Sequence, residues 1–173
     1  MIFPKNSKRI ALLGFMGSGK TTIGKLLSDK LGYKFADTDI IIEQSVGLKT
    51  AEIFKQKGEA YFRKVETQIL NELCQESSLV IATGGGIPTV TKNRLCIRKS
   101  CFSVYLKISP GEVLDRLTDD EISVRPLFPL KVEELSRLII SREKYYKIAT
   151  FTIVVDNLKP KEIVKLIYNN ILC

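Results

Sequence analysis

The chain contains no histidine and no tryptophan. Without imidazole the commonest general base is excluded, so proton handling falls to carboxylates, lysine or tyrosine. Cysteine is scarce as well. Cys74, Cys96, Cys101 and Cys173 show no metal-like pairing and read as reduced structural thiols. No apolar run approaches the ~20 residues that span a bilayer. The stretch from Met1 to Arg9 lacks the apolar core of a signal peptide, so a cytoplasmic protein without a membrane partner is expected. Alternation of basic and aromatic residues is missing too, and Lys5, Lys8 and Arg9 form the only terminal basic cluster. The net charge of +8 is dispersed along the chain, which suits anionic ligands better than a nucleic-acid groove. What remains is ordinary globular material, 45% hydrophobic and 27% charged in 173 residues. That length fits one domain able to bury about 70% of its unfolded surface.

One stretch stands out against this background. Gly14-Phe15-Met16-Gly17-Ser18-Gly19-Lys20-Thr21 follows the apolar run Ile10–Leu13 and opens a helical pattern. Gly, four residues, then Gly-Lys-Thr between strand and helix is a phosphate-binding P-loop. Its glycines (Gly14, Gly17, Gly19) admit positive φ and bring bare N–H groups to phosphate oxygens, with Ser18 and Thr22 beside them. The helix N-terminus faces the same anion. Lys20 is expected on the β- and γ-phosphates, and the Thr21 hydroxyl on Mg²⁺.

Periodicity organises the rest. Short strands are expected at Tyr33–Ala36, Leu79–Ala82, Cys101–Leu106 and Phe151–Val155, alternating with helices. Helical patterns cover Ile40–Gln44, Thr50–Lys55, Glu59–Glu76, Thr89–Lys99, Pro110–Leu117, Val132–Tyr146 and Pro160–Ile171. Gly32 and Gly58 read as helix stops. From Thr118 to Pro129 the pattern fails, and a dozen irregular residues imply a functional loop. Five strands alternating with helices make a doubly wound α/β fold, a parallel sheet with helices on both faces. In such sheets ligands sit beyond the carboxyl ends of the strands. There the chain gathers the P-loop, Asp37 and Asp39, and the triplet Gly84-Gly85-Gly86. Asp37 and Asp39 can also be helix caps. Arg63 and Glu66, three apart on one helix face, can also be a surface ion pair.

Together these residues resemble the shikimate kinases, small relatives of the nucleoside monophosphate kinases. The resemblance rests on Gly14 to Thr21, Asp37-x-Asp39, Phe62-Arg63-x-x-Glu66, Gly84 to Gly86 and Arg125-Pro126-Leu127, in the family's order over nearly the whole chain. It implies one kinase domain over 1–173, with a substrate-binding helical segment at about 39–77 and a lid at about 118–129. It implies ATP and shikimate as substrates, Mg²⁺ as cofactor, and a monomer. Asp37 is implied as a Mg²⁺ ligand with Thr21. Asp39 is implied on the shikimate hydroxyls and as acceptor of the attacking hydroxyl's proton. Arg63 corresponds to a clamp on the shikimate carboxylate, where a planar guanidinium serves better than an ammonium. Gly84, Gly85 and Gly86 correspond to a ledge for the substrate ring. Arg125, with Lys20, corresponds to a cation on the transferring phosphoryl group. Arg116 resembles an arginine that stacks on adenine, although the lid counted from it is a residue or two longer than usual.

A second carboxylate-binding arginine belongs to a pattern of Arg, three residues, Tyr, three residues, Ala. Arg142 reaches Tyr146 at the right spacing, but Ala149 follows too soon. Counted back from Ala149, the pattern would use Tyr145 and Ser141. Because a cation is required, Arg142 is assigned, with Arg137 and Lys144 as neighbours able to compete. Rival readings are a gluconate or nucleoside monophosphate kinase of the same fold, and a nucleotide-binding regulator without catalysis.

Overall fold

The computed structural model describes residues 8–118, 128 and 131–172. Its central strand, β1 (Arg9–Gly14), is apolar from Ile10 to Leu13, and alternation sends these side chains into two separate cores. Ile10 and Leu12 join one core, while Ala11 and Leu13 join the other. Around β1 lie β2 (Lys34–Asp37), β3 (Leu79–Ala82), β4 (Phe102–Lys107) and β5 (Phe151–Val154). The order is β2-β3-β1-β4-β5 and every pairing is parallel. A sheet buried on both faces explains why β1 and β3 read as continuous apolar runs.

One face is covered by α1 (Lys20–Leu31) and α7 (Pro160–Leu172). There Ile23, Leu27, Ile163 and Ile167 pack against Leu12 and Val104. The other face carries α2 (Thr38–Val46), α3 (Thr50–Leu73) and α4 (Thr91–Ser100). Ile42, Ile53, Ile69, Leu70 and Ile97 pack there against Leu13 and Ile81. The remaining helices are α5 (Pro110–Arg116) and α6 (Val132–Tyr146). Among the described residues no helix is long and apolar enough to cross a membrane.

The doubly wound α/β architecture is therefore the one expected, with shifts at element ends. Tyr33 lies outside β2, because its N–H caps the Ser28 carbonyl as α1 ends at Gly32 in the left-handed region (φ 66°). Gly58 (φ 80°, ψ 167°) breaks α3 into two helical pieces that meet without a loop. The helix expected from Thr89 divides into a 3₁₀ turn at Ile87–Thr89 and α4.

Register fixes the site. Asp37 at the end of β2 pairs with Ala82 at the end of β3, and Ala82 pairs with Leu12 of β1. The P-loop, the aspartate pair and the glycine triplet thus emerge level, at the carboxyl-end edge of the strands.

Candidate functional site

A cleft of about 1050 Å³ opens at that edge. Gly17, Gly19, Lys20, Thr21, Thr22, Asp37, Asp39, Arg63, Gly85, Gly86, Arg116 and Arg142 line it. Gly14, Ser18 and Gly84 are buried behind this lining. Arg125, and the expected lid apart from Thr118 and Phe128, lie outside the described residues.

The phosphate end is built from backbone. Gly14, Gly17 and Gly19 have φ of 152°, 77° and 86°, values open to glycine and costly for other residues. A Cβ on Gly14 would also stand 2.6 Å from the Leu106 carbonyl oxygen. Lys20 Nζ donates to the carbonyls of Gly14 (2.9 Å) and Phe15 (2.8 Å), which holds its charge over the loop. Beside it the Thr21 hydroxyl donates to Asp37 Oδ2 at 2.7 Å, and Oδ1 of the same carboxylate caps α2 by accepting from the Asp39 N–H. Asp37 is thus a helix cap with one oxygen turned to Thr21. Arg116 is held by Glu112 and by the Val155 carbonyl, at 2.9 and 2.8 Å.

The opposite end is built from charge. Glu66 is 1% exposed and donates nothing at neutral charge except through its own proton; as a carboxylate it accepts from Arg63 Nη1 at 2.8 Å. Burial, only partly offset by Arg63, pushes its carboxyl up to about 7, and Asp39 adds to that rise. Glu59 accepts from the Nε and Nη2 of Arg63 at 3.2 and 3.1 Å. Arg63 is thus oriented from two sides, more than a surface pair would give it. A Cβ on Gly84 would lie 2.5 Å from Asp39 Oδ1 and 2.9 Å from Glu66 Oε1. One on Gly86 would run into the Arg63 guanidinium. The Gly84 N–H itself is bonded to the Thr38 hydroxyl at 2.7 Å.

Of the cations near the shifted spacing, Arg142 lines the cleft, whereas Arg137 and Lys144 are exposed. Tyr146 is the buried tyrosine, and Tyr145 lies outside it with its ring under Arg94.

Some contributors were not singled out from sequence. Glu43 accepts from Lys49 Nζ (2.9 Å), the Thr50 N–H (2.9 Å) and the Thr50 hydroxyl (3.0 Å). Burial opposes this, but those donors hold its carboxyl below the usual range. The bracket sets the α2–α3 turn at the cleft. Phe54, its ring centroid 4.8 Å from that of the motif residue Phe62, completes an apolar wall.

The donors near the P-loop fit Mg²⁺, which prefers hard oxygens and keeps most of its shell for water and phosphate. A hydroxyl and one carboxylate meet that demand. Among the described residues no cluster of three or more Asp, Glu or Cys side chains offers a fuller cage.

The family model described as "Shikimate kinase" matches residues 16–172. A shikimate kinase from Sulfurihydrogenibium sp. is 40% identical over 164 residues, 95% of this chain and 98% of that protein. The solved shikimate kinase from Acinetobacter baumannii in complex with shikimate superposes with a TM-score of 0.89 at 36% identity, covering 95% of this chain and 92% of that one. The Aquifex aeolicus shikimate kinase structure gives 0.84 at 35%, covering 95% and 96%.

Proposed function

The chain belongs to the shikimate kinase family, and from that premise we propose that it transfers the γ-phosphoryl group of ATP to the 3-hydroxyl of shikimate. The products are 3-phosphoshikimate and ADP, a step of chorismate and aromatic amino-acid synthesis. The observation that carries this reading is the Arg63–Glu66 pair, with Glu66 buried and Arg63 half-buried, set beside a side-chain-free ledge and facing the P-loop across one cleft.

Phosphates are bound by the P-loop N–H groups and Lys20, whose ammonium already sits over the loop. Thr21 and Asp37 would hold Mg²⁺, which when bound offsets charge on the phosphates. Asp39 opens to the cleft near the glycine ledge. There it accepts hydrogen bonds from a polyol and takes the attacking hydroxyl's proton as the phosphoryl group transfers. A loose transition state asks little of that base, so catalysis is chiefly positioning and charge stabilisation. Arg63 and Arg142 clamp the acceptor carboxylate, with Glu66 and Glu59 setting the Arg63 fork. Arg125, by family resemblance, adds a cation at the transferring group. Arg116 flanks the nucleotide end beside Gly19.

A nucleobase would ask for aromatic stacking and would leave the oriented guanidinium beside the glycine ledge unexplained. A coupled ADP-release assay with shikimate, gluconate and CMP side by side tests the reading. Turnover is expected with shikimate, and its absence would overturn the assignment.

A further inference from the structure

Tyr146 closes α6 one turn beyond Arg142 and is 1% exposed. Its hydroxyl donates to the carbonyl oxygen of Gly85, the middle glycine of the ledge, at 2.7 Å. Its ring stacks on Tyr105 of β4, with centroids 5.0 Å and planes 28° apart. The Arg142 guanidinium lies beside the same phenolic oxygen. A Cβ built on Gly85 would stand 3.7 Å from that oxygen and 3.9 Å from Arg142 Nη1, so the three groups converge. Burial pushes the phenol's ionisation well above its ordinary range, which keeps the proton in place.

A phenol carries one proton and two lone pairs, whereas a guanidinium only donates. With the proton committed to Gly85, what the Tyr146 oxygen turns toward Arg142 is acceptor capacity. We propose that Tyr146 is a positioning residue for the phosphoryl acceptor, tying the glycine ledge and the Arg142 guanidinium into one unit. It touches no substrate and acts through both walls. The inference rests on the assignment of shikimate as acceptor.

Tyr146→Phe keeps the ring and its stacking and removes only the hydroxyl. Shikimate KM and Kd are expected to rise about 2- to 12-fold, the range for one lost hydrogen bond. ATP KM and kcat should hold. In an Arg142→Ala background the same change should cost much less shikimate affinity, because the two side chains act together. Unchanged shikimate affinity in Tyr146→Phe would overturn the proposal. So would equal losses for ATP and shikimate, the mark of a general packing defect, or full additivity with Arg142→Ala. A wild-type protein that bound no shikimate would defeat the functional assignment itself, and this inference with it.

Discussion

The two ends of the cleft use the same residue type for different reasons. At the phosphate end, Gly14, Gly17 and Gly19 are glycines because of backbone conformation, each with positive φ. At the acceptor end none of Gly84, Gly85 and Gly86 has positive φ. Gly84 and Gly86 are glycines for room, since a methyl group there would strike Asp39, Glu66 or Arg63. The first end is a local device, complete within eight consecutive residues. The second is assembled from β3, α2, α3 and α6, and its buried charges exist only because the whole chain has folded. A local device is portable between functions, whereas the assembled end selects one acceptor.

Substitutions can separate the two ends. Lys20→Ala is expected to have the largest effect, lowering kcat about 10²- to 10³-fold, as for other lost charge-stabilising donors. Shikimate binding, measured by titration without nucleotide, should be intact. A parallel loss of shikimate affinity would mean that the ends are not independent. Arg63→Ala should weaken shikimate binding about 10- to 150-fold while ATP binding holds, since a charge-assisted hydrogen bond contributes roughly 1.5–3 kcal/mol. Retained shikimate affinity would refute the clamp. Gly86→Ala should displace the Arg63 fork without removing it, costing about 3- to 10-fold in shikimate affinity. An affinity equal to wild type would show that Arg63 has another place to go.

The smallest effect is on stability and concerns Glu66. In the native state its proton is held up to about pH 7, because burial outweighs Arg63. An exposed glutamate releases its proton near pH ~4.3. Between those values the folded chain binds more protons than the unfolded one, so stability falls as pH rises through the window. No histidine titrates there to mask the slope. Melting temperatures from pH 5 to pH 8 should decline less steeply in Glu66→Gln than in wild type, even though the variant starts lower. Identical slopes would remove Glu66 as their source.

Most of the fold was legible because its signals are local. Apolar runs gave most of the strands, and the glycines at 32 and 58 marked breaks that the backbone bears out with positive φ. Boundaries slipped where hydrogen bonds override pattern, as at Tyr33 and at the 3₁₀ turn after Gly86. The phosphate end was legible for the same local reason. In the acceptor end Arg63 and the ledge were visible through motif, but their mutual fit was not. Glu43 looks like any surface helix residue until Thr50 folds back on it. Tyr146 meets Gly85 across 61 positions, which no periodicity encodes.

Asp37 joins the ends. One of its oxygens accepts from Thr21 and the other from the Asp39 backbone. A cation drawn to the first oxygen therefore bears on the group that sets Asp39. Reciprocity governs such a joint: whatever factor nucleotide and metal apply to acceptor affinity, the acceptor must apply to theirs. Both orders of loading reach the same ternary complex with the same total free energy. Any preferred order would be a matter of rates alone.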